Sequence, residues 1–79
     1  MNGYKYCVAN VYVNCIGESK VSYYAFRAGQ YGLHLVEDFK DDYVLWYDTA
    51  EEARAHILNR EGECVLSFHT DYIPKFNNQ

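Results

Sequence analysis

The side chains in this sequence that most often carry chemistry are three cysteines and three histidines. They are Cys7, Cys15, Cys64, His34, His56 and His69. No Cys-x-x-Cys or His-x-x-x-His spacing occurs among them, and zinc sites use such spacings to bring ligands together. We therefore predict that the chain binds no metal ion and no other cofactor.

The cysteines are not spaced like a disulfide framework. An odd count cannot close completely into pairs. At about 3.3 Å per residue, Cys7 and Cys15 would stand roughly 26 Å apart if the strand between them is unbroken. The prediction is free cysteines that pack as small apolar side chains. A small cysteine-dependent enzyme, using Cys7 or Cys64 with a histidine, stays an alternative.

The glycines and acids match none of the common catalytic or ligand-binding motifs. The five glycines fit neither a P-loop nor a dinucleotide fingerprint. No glycine-flanked nucleophile is present, and the acids after residue 36 lack the rhythm of an EF-hand calcium loop. We predict that the domain is not an enzyme and that it works by binding another macromolecule.

Negative charge is concentrated in one part of the chain. The formal net charge is −4, yet residues 37–52 carry seven acids against one lysine, a net of −6. Aromatic side chains are interleaved with these acids, and this combination suits an interface with a basic protein partner. The predicted partner-binding residues are Glu37, Asp38, Asp41, Asp42, Tyr43, Trp46 and Asp48. The competing interpretation is a solvated acidic loop before a helix N-terminus, where acids are favoured anyway.

A second candidate surface comes from the nine tyrosines. Residues 4–15 alternate with a period of two, which predicts a half-buried strand whose odd positions face the core. The even positions, which we expect to be wetter, contribute to a second face made of Tyr4, Tyr6, Tyr12 and Tyr24. Such a face could pair with itself, so both a monomer and a homodimer are open, or it could stack bases of single-stranded nucleic acid. The acidic balance of the chain argues against direct binding of nucleic acid.

The elements that position these residues follow from the apolar and turn patterns. Strands are predicted at residues 4–15, 20–27, 31–36, 43–47 and 64–69. Capping-box spacing from Thr49 to Glu52, and Gly62 as a left-handed C-cap, predict a helix over Thr49–Arg60. The fold class is therefore α+β: a single antiparallel sheet of four or five strands, in the order β-β-β-β-α-β, with one helix packed on one face.

The chain is expected to form a single domain over residues 1–79, with residues 70–79 as a partly disordered C-terminal tail. The predicted core is Cys7, Ala9, Val11, Val13, Ile57, Leu66 and Phe68. The helix is expected to meet the sheet through Ala50, Ala53 and Ile57, and Val11→Asp is expected to unfold the domain. Without a signal pattern or a long apolar stretch, a cytoplasmic protein with no membrane contact is expected.

The run from Tyr43 to Ala53 resembles a strand–Asp-Thr-x-Glu-Glu-Ala–helix junction found in many small proteins of phages and bacteria. In size, acidity and lack of a catalytic motif, the chain also resembles phage-encoded inhibitors of host defence, of the anti-CRISPR or anti-restriction type. This resemblance implies a protein that blocks a basic nucleic-acid-binding surface of a host protein. It is a likeness of profile, so it assigns a role to no individual residue.

Overall fold

A four-stranded antiparallel sheet forms the body of the domain. The computed structural model describes residues 3–29, 31–58 and 61–76. In chain order the elements are β1 (Tyr4–Val13), β2 (Ser19–Arg27), β3 (Gly32–Val36), α1 (Ala50–Arg54) and β4 (Glu63–His69). The strands lie in the order β3-β2-β1-β4, which confirms the predicted α+β class with a single antiparallel sheet and one helix.

The two central strands pair along only part of their length. β1 and β2 are in register over residues 9–13 and 19–23, next to the turn that joins them. Beyond these residues β1 continues against β4, and β2 continues against β3. Residues 43–47, which we call the wedge segment, contact both strands there. Two isolated bridges hold this segment, Val44 with Ala25 of β2 and Tyr47 with Tyr6 of β1.

The prediction of a fourth strand at residues 43–47 is therefore wrong. Tyr47 exchanges two backbone hydrogen bonds with Tyr6, at 2.9 and 2.7 Å, while Leu45 N donates to Tyr24 O at 3.1 Å. The segment is antiparallel to both β1 and β2, which run in opposite directions. It must consequently bend between its two bridges, and a bent segment cannot form one continuous ladder.

Both faces of the sheet are covered, which corrects the expected division into one core face and one wet face. The face that we call the loop face buries a cluster of Cys7, Ala25 and Val44. The opposite face, the helix face, buries a cluster of Val8, Tyr24 and Ala53. The middle of β1 is therefore buried on both sides, at Cys7, Val8 and Ala9.

The predicted core is correct near the middle of the sheet and wrong near the β1–β2 turn. Cys7 and Ala9 are buried, whereas Val11 and Val13 are exposed because neither α1 nor the wedge segment extends over that end of β1. Three further predicted residues are partly buried and pack against the two clusters, namely Ile57, Leu66 and Phe68.

Helix α1 is shorter than the predicted Thr49–Arg60, although its start is as expected. Thr49 Oγ1 accepts a hydrogen bond from Glu52 N at 3.1 Å, and Glu52 Oε1 accepts one from Thr49 N at 3.2 Å. This reciprocal pair confirms the capping box. The helix ends at Arg54 and meets the sheet through the buried Ala53, while residues 59 and 60 lie outside the described part of the chain.

Gly62 was expected to cap the helix, but it serves a close approach of two backbones instead. Its φ of 89° lies in the left-handed region, and its carbonyl oxygen accepts a 2.9 Å hydrogen bond from Val11 N. A Cβ at this position would come within 2.4 Å of Val11 O. Both the dihedral angle and the contact therefore require glycine.

Residues 70–76 are the described part of the predicted C-terminal tail, and they contact the domain. A 3-10 helix (Thr70–Tyr72) follows β4, and Ile73 is 1% exposed. The ring of Phe76 lies 6.4 Å from that of Trp46, edge to face. The rest of the predicted tail, residues 77–79, lies outside the described residues.

Candidate functional site

Residues 37–42, the acidic loop, connect β3 to the wedge segment. Two aspartates shape the loop through their own side chains: Asp38 Oδ1 accepts from Lys40 N, and Asp41 Oδ1 accepts from Tyr43 N, both at 2.9 Å. Asp41 N in turn donates to Asp38 O at 3.0 Å. These side-chain bonds two residues along the chain are Asx turns, so part of the acidity of the loop has a structural role.

Phe39 fixes the middle of the acidic loop to the loop face of the sheet. Its ring stacks on that of Phe68 in β4, with centroids 4.2 Å apart and planes 12° apart. It also meets the ring of Tyr23 edge to face at 6.1 Å. Because the loop is fixed in this way, its outward carboxylates keep a defined arrangement, and less conformational freedom is lost on binding.

The predicted acidic contact residues differ in how available they are. Three of them, Glu37, Asp38 and Asp42, are exposed. Asp41 is half-buried within its turn, and Asp48 forms an ion pair with Lys5. The outward negative charge is therefore concentrated in Glu37, Asp38 and Asp42.

The two predicted aromatic contact residues lie in different environments. Tyr43 is 44% exposed, and the guanidinium of Arg27 lies 5.1 Å from its ring centroid. Trp46 is half-buried against Phe68 and Phe76, and its buried Nε1–H has no hydrogen-bond acceptor among the described residues. Tyr43 and Trp46 are three residues apart, so alternation along an extended chain places them on opposite sides without showing which side faces outward. The structure turns Tyr43 outward and packs Trp46 against the loop-face cluster.

The predicted tyrosine-rich face is interrupted by α1. Tyr24 is 7% exposed and donates a hydrogen bond to Glu63 Oε2, and Tyr6 packs beside it in the helix-face cluster. Tyr4 and Tyr12 are exposed, but they lie near opposite ends of β1. The four tyrosines therefore form no continuous exposed surface.

The thiol of Cys7 is poorly suited to nucleophilic chemistry. Burial, and to a smaller degree the neighbouring Cys64, raises its pKa from 9.0 to about 12. The thiolate is the reactive form, so a fully buried and protonated thiol is a weak nucleophile at neutral pH. All three cysteines are free, with Cys15 exposed and Cys64 half-buried. Within the described ranges, no group of three or more histidines, cysteines and acids could hold a metal ion.

A pocket on the helix face was not foreseen from the sequence. Its volume is about 110 Å³, and the ring of His56 stacks on that of Tyr47 at its wall, with centroids 4.8 Å apart. The lining residues are Val8, Tyr24, Leu33, Leu45, Tyr47, His56 and Leu58. They come from three strands, the wedge segment and the chain after α1, so no local sequence pattern could indicate the pocket.

No protein-family model, curated protein or solved structure matches the chain. In the part of the chain that the structure describes, no helix has the length and apolar character needed to cross a membrane. The candidate site therefore rests on the geometry and charge of this chain alone.

Proposed function

We propose that this domain is a non-enzymatic protein-binding module that docks its acidic loop onto a basic surface of a partner. The observation that carries this proposal is the fixed outward display of Glu37, Asp38 and Asp42 next to the exposed ring of Tyr43. Carboxylates steer the encounter with a positive surface, and a tyrosine adds apolar contact area with a polar tip.

The class of partner follows from the local charge. Within residues 37–52 a single lysine, Lys40, opposes seven acids. Physiological salt screens charges over about 8 Å, so charges closer together than this act jointly on a partner. A protein surface built to bind phosphates offers the matching positive groups. The local charge therefore favours a basic nucleic-acid-binding surface as the partner. That this surface belongs to a host-defence protein is what the resemblance to phage-encoded inhibitors implies, and we propose it on that ground.

The two alternatives have less structural support. A single-stranded nucleic-acid binder would need several exposed aromatic rings beside free cations, but Tyr24 is buried and Lys5 is paired with Asp48. A cysteine-dependent enzyme would need an activated thiolate, whereas the pKa of Cys7 is raised by burial.

Neutralising the acidic loop is expected to weaken partner binding by about 10- to 100-fold, since three interface charges at up to ~1 kcal/mol each are lost. The variant is Glu37→Gln, Asp38→Asn and Asp42→Asn, which leaves the half-buried Asp41 unchanged. Asparagine at position 38 keeps a side-chain oxygen that can accept the hydrogen bond from Lys40 N. The tagged domain is used to capture proteins from a phage-susceptible bacterium, and the affinity of the captured protein is then measured with purified components.

The matched control changes three exposed acids elsewhere, Glu18→Gln, Glu61→Gln and Asp71→Asn. Both triple variants change the formal net charge from −4 to −1, so a general charge effect would weaken them equally. Retention of the partner by the acidic-loop variant at both low and moderate salt would contradict the proposal. Capture of RNA or DNA in place of a protein would favour the tyrosine-face alternative.

Alkylation of the native protein is expected to label Cys15 first and Cys7 last. Cys15 is exposed, whereas Cys7 is fully buried with its pKa raised to about 12. Mass spectrometry after timed exposure to iodoacetamide would report the order, and labelling in denaturant gives the fully reactive reference. If Cys7 or Cys64 reacts faster than the exposed Cys15 at neutral pH, the enzyme alternative gains support and the binding module loses it.

A further inference from the structure

The helix face carries an apolar surface that α1 does not cover. α1 packs mainly against β1 and β4. Three side chains over β2 and β3 are each between 44% and 49% exposed, namely Phe26, Leu33 and Leu35. Phe26 stands opposite Leu33, and Tyr24 stands opposite Leu35, so all of them lie on one face. A cluster of exposed apolar side chains on a small domain indicates an interaction surface.

This surface reaches the open edge of the sheet at β3. The outer side of β3 has no strand partner among the described residues, and the strand contains neither lysine nor proline, which commonly protect such edges. Its two exposed side chains are both leucines. The opposite edge strand, β4, exposes only Ser67 among its described side chains. β3 is therefore the edge suited to pairing with another strand.

We propose that β3 pairs with β3 of a second copy of this chain, in an antiparallel two-fold arrangement centred on His34. His34 is the middle residue of β3 (Gly32–Val36), so this register pairs the whole strand. It places Leu33 of each copy opposite Leu35 of the other, and such apolar cross-strand pairs stabilise sheets. The two four-stranded sheets then join into one continuous sheet.

Two charged side chains near the ends of β3, those of Glu37 and Arg27, favour the same register. Glu37, directly after β3, is brought level with Tyr31 of the other copy. The guanidinium of Arg27 lies 5.5 Å from the Tyr31 ring centroid, and none of the ion pairs among the described residues involves Arg27. Arg27 therefore has no acidic partner among the described residues of its own chain, and in this register the exposed Glu37 of the other copy offers one. The two-fold axis creates this pair twice.

Self-complementarity of this kind is what selects a second copy as the occupant. An unrelated strand could use the backbone edge, but it would not in general provide leucines opposite both leucines and an acid level with Tyr31, whose ring lies beside Arg27. β3 contains no acid, lysine or arginine that would oppose its own copy across the two-fold axis. The Nδ1 atom of His34 lies 2.9 Å from Gly32 O of its own strand. The expected dimer is weak, because each copy contributes only one short strand to the interface and the buried area is therefore small.

A charge exchange between two copies tests the register directly. Arg27→Glu and Glu37→Arg are each expected to weaken self-association about tenfold or more, because each homodimer then faces like charges. Mixing the two variants is expected to restore association, since a heterodimer of one copy of each again pairs opposite charges. Sedimentation velocity over a wide concentration range measures all three samples, and Lys20→Glu on the far end of β2 serves as the control.

Each result of the sedimentation experiment either supports or overturns the proposed dimer. Concentration-dependent dimerisation of the unchanged protein, loss in each single variant and recovery in the mixture support the proposal. A protein that stays monomeric up to several hundred micromolar overturns it, as does a dimer that neither substitution weakens or that the mixture does not restore. Melting curves of each variant show whether it is folded. If one fails to fold, Leu35→Lys replaces it, and unchanged association of that variant also overturns the proposal.

Cross-linking gives an independent test of the same geometry. In a background with Cys15→Ser, Leu33→Cys and Leu35→Cys are oxidised separately and as a mixture. Opposite residues in an antiparallel pair stand about 5 Å apart, whereas like residues here would be about 8 Å apart, beyond disulfide reach. A disulfide-linked dimer is therefore expected in the mixture only. Equal cross-linking in the separate samples would contradict the register centred on His34.

Discussion

Replacing Val44 with aspartate is expected to unfold the domain. Val44 is 1% exposed, in the loop-face cluster with Cys7 and Ala25. A carboxylate there would be buried without a partner, at a cost of several kcal/mol. A domain of this size has a free energy of unfolding of roughly 5 kcal/mol, so this single substitution removes most of it. Far-UV circular dichroism and urea titration of the purified variant would measure the loss.

The control is the same substitution at Val11, 42% exposed in β1. The pattern of β1 predicts that Val11→Asp unfolds the protein, but the structure leaves this side chain in contact with water. A loss of about 1 kcal/mol or less is therefore expected, mainly from the lower strand propensity of aspartate. If Val11→Asp proves as damaging as Val44→Asp, the position of the wedge segment is wrong.

Raising the pH is expected to destabilise the fold progressively above about pH 9, and Cys7 is expected to cause much of the loss. Burial raises the pKa of its thiol from 9.0 to about 12. Between these values the unfolded chain loses the proton while the folded chain keeps it. The free energy of unfolding therefore falls as the pH rises, by at most about 1.4 kcal/mol per pH unit for one such group. The contribution is intact below pH 9.

Urea unfolding between neutral pH and pH 11 would measure this dependence. Cys7→Ala should flatten it, whereas Cys15→Ala, which changes an exposed thiol, should leave it as it is. Some slope should remain above pH 10, because burial also raises the pKa values of Tyr23 and Tyr47. A Cys7→Ala variant whose stability falls with pH as steeply as that of the unchanged protein would show that the thiol does not contribute.

The local features of the fold were predictable, and the features that depend on distant residues were not. The capping box at Thr49 and Glu52 involves neighbours in the chain, so its spacing determines it. The aromatic and β-branched run at residues 43–47 indicates extended backbone, which is correct as far as local propensity goes. That this run bends between two diverging strands depends on where β1 and β2 separate, and no window of sequence contains that information.

The prediction that only one face of β1 is buried is wrong for the same reason, because burial there depends on residues distant in the sequence. Alternation in β1 predicts one buried side, but its even positions include Tyr6 and Val8, which are as suited to burial as the odd ones. Coverage by α1 on one face and by the wedge segment on the other decides the outcome. The prediction that the helix continues to Arg60 rests on Gly62 as its C-cap. The structure instead requires this glycine for its contact with Val11, so Gly62 does not indicate where the helix ends.

The sequence predicts the charge of the candidate site but not which of its aromatic side chains is exposed. Exposure of Glu37, Asp38 and Asp42 follows from the cost of burying a carboxylate. Whether Tyr43 or Trp46 faces outward depends on aromatic rings elsewhere in the chain, above all that of Phe68. Parity can separate the two side chains onto opposite sides, but only the tertiary packing determines which side is solvent.

The pairing of β1 with β4 has a consequence for synthesis of the domain. β1 leaves the ribosome before β4, yet its longer register is with β4. Until β4 arrives, one edge of β1 is open along the buried residues Cys7, Val8 and Ala9. An open apolar edge is a template for pairing with other chains. A nascent chain truncated before Glu63 is therefore not a smaller working domain but a fragment prone to aggregate.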